Sequence, residues 1–422
     1  MMEKYVKRYW TAFTAALAIS IVISVFLTHT YDVSGWSEVC NNLLAGEGLY
    51  GVEGYYYTPV WGYFLSFLLY LGTLFGISPT MVQQDLLIGL ENGGSPFTSM
   101  ITDFRFVLML KLFMILTWAV NAYLIYHIVK EWTGEPRKAY TASGLWLICP
   151  LTIVIIARSA MFESLTVMLL LLSLILLWRG QYFGAGALWA MASLTKYFPF
   201  FLIFIFVALI LVRNRGEPKK ALRQTVEAVV GALLMSMVIY LPLIIDGTVM
   251  DSLSFITSRV SESWLGIYDV IYTVSALIVS AYVAYCYYKR GSTEIGSFFK
   301  AVLTTLLVVY FLPVGPEQYY IILAPFMAIG AVLLDRRLGT IMVVAYSLMI
   351  VSPLFTTYPS DFLVYLNAFG SITAAPPIID TIVDNLFTAA GIMILWLSLW
   401  YLYKGQLAER KALKAARCSH EE

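Results

Sequence analysis

Charged side chains are scarce in this sequence, and their scarcity indicates the class of protein. Asp, Glu, Lys and Arg make up 13% of the 422 residues, and hydrophobic residues make up 60%. Soluble domains carry roughly 25% charged residues. The formal net charge is +1, so the overall balance indicates neither a nucleic acid nor an acidic partner. Many apolar runs approach the ~20 residues that cross a bilayer, which predicts an all-α, polytopic membrane protein.

Cysteine and histidine are also sparse, and neither is arranged as a metal site. The cysteines lie far apart and Cys40 is the one expected outside the membrane, so a disulfide framework is not predicted. The histidines form no cluster, and no paired His/Cys spacing indicates zinc. The sequence has no glycine-rich phosphate loop of the nucleotide-binding type. We therefore expect no cofactor and no metal, and a donor substrate that already resides in the membrane.

Apolar runs divide the chain into about twelve expected spans. No Gly/Ser-rich linker interrupts them, so we expect one transmembrane domain over 1–404 and a short amphipathic tail at 405–422. The first run lacks a small-residue cleavage site and is interpreted as a retained helix. A further apolar run, 58–77, is ambiguous. The expected spans are 10–28, 105–129, 140–156, 164–178, 184–196, 197–213, 224–244, 271–288, 297–313, 320–334, 339–355 and 386–404.

The distribution of basic residues indicates which ends of these runs face the cytoplasm. Lysines and arginines at 4–8 place the N-terminus inside, as does the richest basic loop, 213–223. If the run 58–77 crossed the membrane, the basic loop 130–139 would face outward. If it only enters the outer leaflet, every basic loop and both termini lie inside. We expect the second arrangement, in which 29–104 is one long outer segment with a juxtamembrane or re-entrant element.

Asp32 lies within a few residues of the end of the first apolar run, at the expected membrane boundary. An ionisable group there is costly unless it is used. Tyr31 and Trp36 flank it, and the same loop continues to a tyrosine-rich stretch that ends at Tyr57. Aromatic rings and carboxylates together suit sugar binding, because rings stack on C–H faces and carboxylates accept hydrogen bonds from hydroxyls. The alternative is a solvated loop residue or a helix cap.

Two further breaks between apolar runs carry charge. The first contains Arg158 and Glu163, which predicts either an ion pair that orients two helix ends or a guanidinium that grips a lipid phosphate. Lys196, followed by Tyr197, stands in an otherwise apolar stretch. It can extend to the headgroups as a structural residue, or it can neutralise a phosphate leaving group.

A polar break late in the chain carries Glu317, Gln318 and Tyr319. By itself it predicts no more than a polar turn. The expected orientation, however, places it on the outer face together with Asp32 and Lys196. Charges that are sparse elsewhere therefore converge on one side of the membrane, which predicts a single outer site.

These motifs, taken in chain order, resemble the membrane-embedded C-type glycosyltransferase superfamily, which uses polyprenyl-phosphate sugars. Within it the sequence looks most like the first mannosyltransferase of glycosylphosphatidylinositol-anchor synthesis and its prokaryotic relatives. The matching segments are Tyr57-Thr58-Pro59, Trp146 to Thr152, Arg158 with Glu163, Lys196 with Pro199, and Gln318-Tyr319.

The sequence departs from that family's pattern at two positions. The aspartate-x-aspartate pair is incomplete, because Thr30 and Ser34 stand on either side of Asp32, and Cys149 stands where asparagine is usual. A single aspartate looks more like the related bacterial polyprenyl-phosphate-mannose transferases. The resemblance therefore bears on the reaction class more than on the acceptor, and on mannose only by analogy.

The resemblance implies an inverting glycosyltransferase with the C-type transmembrane fold. It would move a hexose, mannose by analogy, from a polyprenyl-phosphate donor to a lipid- or glycan-linked hydroxyl on the extracytoplasmic side. Asp32 would be the general base without a metal, and Arg158 and Lys196 would bind the donor phosphate. The other residues expected to bind substrate are Tyr31, Trp36, Tyr57, Glu163, Tyr197, Glu317, Gln318 and Tyr319.

Partners and location follow from the same reasoning. We expect membrane lipids as surroundings, no nucleic acid, a monomer or small hetero-complex, and a prokaryotic cell membrane in preference to the endoplasmic reticulum. The principal alternative is a transporter or a flippase for lipids or oligosaccharides, which predicts internal repeats with broken helices; no convincing repeat is visible. A structural assembly subunit is a further alternative, and it would leave Asp32 replaceable.

Overall fold

The fold is helical almost throughout the part of the chain that the structure describes. A computed structural model describes residues 2–50, 55, 57–79, 81–86, 97–252, 264–311, 317–350 and 400. Within these ranges α-helices are joined by short turns, and the one sheet is an antiparallel hairpin. The expected helical class is confirmed, with a small sheet that the sequence did not predict.

Four helices and the hairpin lie within the described residues of the first third of the chain. A proline at the first position starts α3, where its missing N–H costs nothing. Gly46 ends α2 in the left-handed conformation, with φ 81°. The hairpin pairs Met81 with Thr102 and Leu86 with Phe97. The elements are α1 (Met2–Phe26), α2 (Thr30–Ala45), α3 (Pro59–Leu74), β1 (Met81–Leu86), β2 (Phe97–Thr102) and α4 (Phe104–Thr133).

The remainder of the described chain is a series of helices interrupted by two short 3₁₀ turns, Phe198–Leu202 and Glu317–Tyr319. Prolines again begin α5, α6 and α10. The helices are α5 (Pro136–Leu147), α6 (Pro150–Ser159), α7 (Glu163–Trp178), α8 (Tyr182–Thr195), α9 (Ile203–Arg213), α10 (Pro218–Asp246), α11 (Trp264–Arg290), α12 (Ile295–Phe311), α13 (Tyr320–Leu333) and α14 (Arg337–Met349).

Several helices have the length and composition of membrane spans. Among the described residues four qualify: Tyr5–Phe26 in α1, Phe104–Thr133, Pro218–Asp246, and Val270–Arg290 in α11. Helices α5 and α6 qualify together as a pair that bends by 48°, which gives up to five spans. Large apolar side chains on α1 and α10, such as Val22 and Leu233, are exposed, as a lipid-facing surface requires. The structure thus supports a membrane-embedded protein.

Shorter apolar helices lie on most of the remaining predicted runs. Helix α3 has 16 residues, or about 24 Å at 1.5 Å per residue, which is less than the ~30 Å hydrocarbon core of a bilayer. Helix α3 makes up most of the run 58–77. That this run enters only the outer leaflet stays a prediction. Apart from Trp400, the predicted run 386–404 and the predicted tail 405–422 lie outside the described residues.

Glycines allow helices α8 and α10 to pack closely against each other. A Cβ atom at Gly186 in α8 would overlap the main chain of Ala228 in α10, and one at Gly231 would overlap the main chain of Phe183. The two backbones therefore touch reciprocally, as small residues permit in membrane helix pairs. Helices α6, α7 and α13 lie inside, where most of their side chains are buried. The turns at one end of these inner helices carry the candidate site.

Candidate active site

The candidate site begins where α1 ends and α2 starts. His29 precedes α2 in an extended conformation, and Asp32 lies in the first turn of that helix, where the helix dipole favours a carboxylate. Nδ1 of His29 lies 2.6 Å from Oδ2 of Asp32, and the two side chains are 14% and 16% exposed. The main-chain N–H of His29 also donates to the carbonyl of Arg158 over 3.2 Å. The junction is thereby fixed against the end of α6.

A fully buried lysine holds the same junction from α4. The ammonium of Lys111 donates to the carbonyls of Ser24 and Leu27, over 3.0 and 2.6 Å, and to the hydroxyl of Thr28 over 2.7 Å. Carbonyls at a helix end run out of helical N–H partners, and a cation there is favoured by the helix dipole. Lys111 therefore positions the residues that lead to Asp32. Sequence reasoning missed it, since a lysine in an apolar run does not show which carbonyls it meets.

Glu163 and Lys196 form a buried ion pair beside this junction. Glu163 begins α7 and is fully buried, and Lys196 follows α8 and is 5% exposed. Nζ of Lys196 lies 3.1 Å from Oε1 of Glu163. The two groups are not aligned as a hydrogen bond, however, and neither has a hydrogen-bond partner among the described residues. Glu163 thus pairs with Lys196, whereas one of the two interpretations of the sequence paired it with Arg158.

Three aromatic rings surround the Lys196 ammonium. Its Nζ lies 4.7 Å from the ring centre of Tyr57, 4.6 Å from that of Phe162 and 4.6 Å from that of Tyr319. These rings come from the loop before α3, the turn before α7 and the turn before α13. Ring faces attract cations, and the attraction grows where water is absent. The cage therefore stabilises an ammonium whose charged partner among the described residues is the Glu163 carboxylate.

Two tryptophans extend this ring cluster towards Asp32. Trp36 stands one turn after Asp32 on α2, on the same face of the helix. Its ring centre lies 5.5 Å from that of Tyr57 and 5.8 Å from that of Phe162. Trp61 stacks on Phe162 at 4.9 Å. A cluster of packed rings thus extends from the Lys196 cage to Trp36, one helical turn from Asp32.

Nearby charges shift the pKa of the Tyr57 hydroxyl in both directions. Burial raises the pKa of Tyr57, the Lys196 ammonium lowers it, and the carboxylates of Glu163 and Asp32 raise it, for a net result of about 12. Of these three charged groups, Lys196 contacts the ring directly, with its Nζ 4.7 Å from the ring centre. With this raised pKa, Tyr57 stays protonated at neutral pH and can donate a hydrogen bond.

The turn between α6 and α7 has a strained backbone. Ala160 ends α6 with φ 50° and ψ 37°, and it is the one non-glycine residue with positive φ in the described part of the chain. Such a conformation costs free energy in an alanine and is often found at functional sites. The turn separates two buried charged side chains, Arg158 and Glu163. Its conformation sets the direction in which α7 leaves and so positions Glu163.

The other sequence-predicted residues differ in how closely they join this cluster. Tyr197 is 45% exposed, and its ring centre lies 4.2 Å from that of Phe198. Gln318 is half-buried beside Tyr319. The side chains of Tyr31 and Glu317 lie outside the described set. Within that set, no group of three or more His, Cys, Asp or Glu side chains is placed to hold a metal ion.

Comparison with known proteins assigns no family to the chain. No protein-family model matches the sequence. No curated protein matches it either. The geometry of the site and the motifs of the sequence therefore carry the functional conclusion.

Proposed function

We propose that the protein is an inverting glycosyltransferase that moves a hexose from a polyprenyl-phosphate donor to a hydroxyl of a lipid- or glycan-linked acceptor. The observation that carries this proposal is the buried Glu163–Lys196 pair, whose polar atoms lack hydrogen-bond partners within the described residues. An ammonium only donates hydrogen bonds, and a carboxylate only accepts them. A ligand with phosphate oxygens beside sugar hydroxyls satisfies both groups at once. A glycosyl phosphate has this arrangement.

In this proposal Lys196 and Arg158 bind the donor phosphate. The phosphate gains negative charge as its bond to the sugar breaks, and preorganised cations stabilise that charge. Lys196 would exchange part of its contact with Glu163 for a phosphate oxygen while it stays within the ring cage. Trp36 and Tyr57 offer ring faces to the C–H groups of the sugar. The Glu163 carboxylate, partly released by the ammonium, would accept hydrogen bonds from sugar hydroxyls.

Asp32 is proposed as the general base. Its Oδ2 contacts His29, whereas its Oδ1 has no hydrogen-bond partner in the described ranges. Oδ1 accepts the proton of the acceptor hydroxyl as the hydroxyl oxygen attacks the anomeric carbon. The bond from that carbon to the phosphate oxygen breaks, and its electron pair stays on the phosphate. A single displacement inverts the anomeric configuration. Mannose as the hexose rests on the sequence resemblance alone.

The proposal includes more membrane spans than the four or five long helices that qualify by length and composition. It has twelve spans in a C-type glycosyltransferase fold over 1–404, with 29–104 outside and the tail 405–422 in the cytoplasm. The loop charges support this orientation, since it places every basic loop inside. We further propose a prokaryotic cell membrane, a metal-independent reaction, and a monomer or small hetero-complex.

One observation favours the alternative, a transporter or flippase. The α5–α6 pair bends by 48° at its break, and broken helices line the substrate sites of many transporters. A flippase would carry a lipid-linked sugar across the bilayer without forming a glycosidic bond. The two functions therefore differ in their products, and one reconstituted system can separate them.

The test uses purified protein with radiolabelled polyprenyl-phosphate-mannose and a membrane lipid extract. We expect label in an acceptor lipid, release of polyprenyl phosphate, and a loss of about 10²–10⁴-fold in turnover for Asp32→Asn. Glu217→Gln, on an exposed carboxylate at the start of α10, is the matched control and should keep the wild-type rate. A folded Asp32→Asn protein with normal turnover would remove Asp32 from the chemistry. Label that only crosses liposome membranes would show a flippase.

A further inference from the structure

The contact between His29 and Asp32 has no role in the function proposed above. It is short, with 2.6 Å between Nδ1 and Oδ2, and it lies largely out of solvent. His29 is also held through its main chain, because its N–H donates to Arg158 and its carbonyl accepts from Val33. An imidazole fixed in this way constrains the orientation of the carboxylate beside it.

We propose that His29 is a positioning residue that fixes the Asp32 carboxylate towards the acceptor hydroxyl and turns the base off when the imidazole is protonated. This inference rests on the proposed function. A carboxylate oxygen accepts hydrogen bonds, so Nδ1 is the nitrogen of His29 that carries the hydrogen towards Oδ2. With Oδ2 engaged, Oδ1 is the oxygen left to face the acceptor.

Protonation of the ring changes this contact from a neutral hydrogen bond to an ion pair. An imidazolium 2.6 Å from Asp32 favours the charged form of the carboxylate, so the carboxylate takes up the acceptor's proton less readily. Activity should then fall as the pH is lowered and the ring is protonated. Imidazoles titrate between about pH 5 and 8, whereas free carboxylates titrate near pH 4.

Charges of both signs surround the pair. The elements packed around it contribute three cations and one further carboxylate, together with a protonated phenol. Lys111 donates to the residues just before His29, and Arg158 accepts from its main chain. The groups are Lys111 from α4, Arg158 from α6, Glu163 from α7, Lys196 after α8, and Tyr57 before α3.

Two substitutions separate the positioning role from a structural one. His29→Asn keeps an N–H donor close to the position of Nδ1 but cannot titrate, whereas His29→Ala removes both properties. For the wild type we expect an acid limb of kcat/KM within about pH 5–8. For His29→Asn we expect a rate at pH 8 within about threefold of the wild type and an acid limb at least about one pH unit lower. His29→Ala should lose about tenfold or more in kcat at every pH, because the base is misplaced.

The outcomes distinguish this inference from the proposed function. An acid limb of His29→Asn that coincides with that of the wild type overturns the inference and leaves the glycosyltransferase intact. A His29→Ala protein with wild-type kcat overturns it as well. Thermal unfolding in the same detergent accompanies each variant, and if His29→Ala fails to fold, the pH profile of His29→Asn alone decides. A wild-type protein that transfers no sugar at any pH between about 5 and 9 removes the proposed function and this inference together.

Discussion

Lys196 connects the ion pair of the candidate site with its aromatic cluster, because it contacts the Glu163 carboxylate and three rings at once. Because Lys196 is buried, removal of either charge of the pair, but not of both, should lower the stability of the protein. A lone charge left in an apolar interior typically costs 3–5 kcal/mol, whereas replacement of both charges by apolar side chains is often neutral. Stability and activity should therefore respond differently to single and paired substitutions.

Lys196→Met should lower the free energy of unfolding by about 3–5 kcal/mol, because Glu163 is left charged and unpaired. The double variant Lys196→Met/Glu163→Met should recover most of that stability and still transfer no sugar, because the phosphate has lost its cation. Lys196→Arg should be milder than Lys196→Met in transfer. Thermal unfolding and donor-dependent transfer in one detergent measure both effects. A double variant with wild-type transfer would show that the pair is structural only.

Sequence reasoning found the charged residues of the site but not their partners. Asp32, Glu163 and Lys196 stand out because charge is rare in this chain. The pairing of Glu163 with Lys196 depends on how α7 and α8 pack against each other, and no local pattern encodes that contact. The same holds for the C-terminal end of α1, whose carbonyls accept from Lys111. Pairing across helices is a tertiary property, so the sequence gives the residue types of a site before it gives their geometry.

The contact between α8 and α10 tests the packing of whole elements. Gly186→Val should separate the two helices, because any Cβ there meets the main chain of Ala228, which cannot move aside as a side chain can. We expect a loss of about 1–3 kcal/mol or more in the free energy of unfolding. Gly144→Ala in α5 is the matched control, since a Cβ at Gly144 meets nothing within 4 Å, and it should be neutral or stabilising by up to about 1 kcal/mol. Equal unfolding temperatures for the two variants would contradict this packing.

Hydropathy predicted the long helices but not α2 or the hairpin. A continuous apolar run needs no tertiary information, since the bilayer selects it by length. Helix α2 is amphipathic, and its signal was the spacing of Val33, Trp36, Cys40 and Leu43, three or four residues apart. We interpreted that stretch as an outer loop because of its polar residues. The strands Met81–Leu86 and Phe97–Thr102 are separated by residues 87–96, a longer connection than the two-residue loop that marks a hairpin, so Asn92-Gly93 within it does not by itself predict the pair.

At the scale of the whole molecule, orientation in the membrane follows from loop charge and can be measured by cysteine labelling. Glu38→Cys and Glu91→Cys should react with a membrane-impermeant thiol reagent from the same side, because α3 is expected not to cross. Lys219→Cys should react only from the other side. The experiment uses a background in which Cys286, which is exposed, is replaced by serine. Labelling of positions 38 and 91 from opposite sides would show that α3 spans the membrane, and the common outer face would be lost.

In the proposed reaction, the burial of Lys196 would set the order in which the two substrates bind. Lys196 is 5% exposed and its ammonium lies among three rings, whereas the Asp32 side chain is 16% exposed. In the proposed reaction we expect the donor to bind before the acceptor, because an acceptor placed against Asp32 would close the way to the ammonium, and we expect polyprenyl phosphate to leave after the glycosylated product.

Such a compulsory sequence has a steady-state signature. An unreactive acceptor analogue should inhibit uncompetitively against the donor, because it binds only to the enzyme that already holds the donor. Added polyprenyl phosphate should compete with the donor, because both occupy the free enzyme. A competitive pattern between the acceptor analogue and the donor would mean that either substrate can bind first, and that the ring-covered lysine is reached by a route the acceptor does not close.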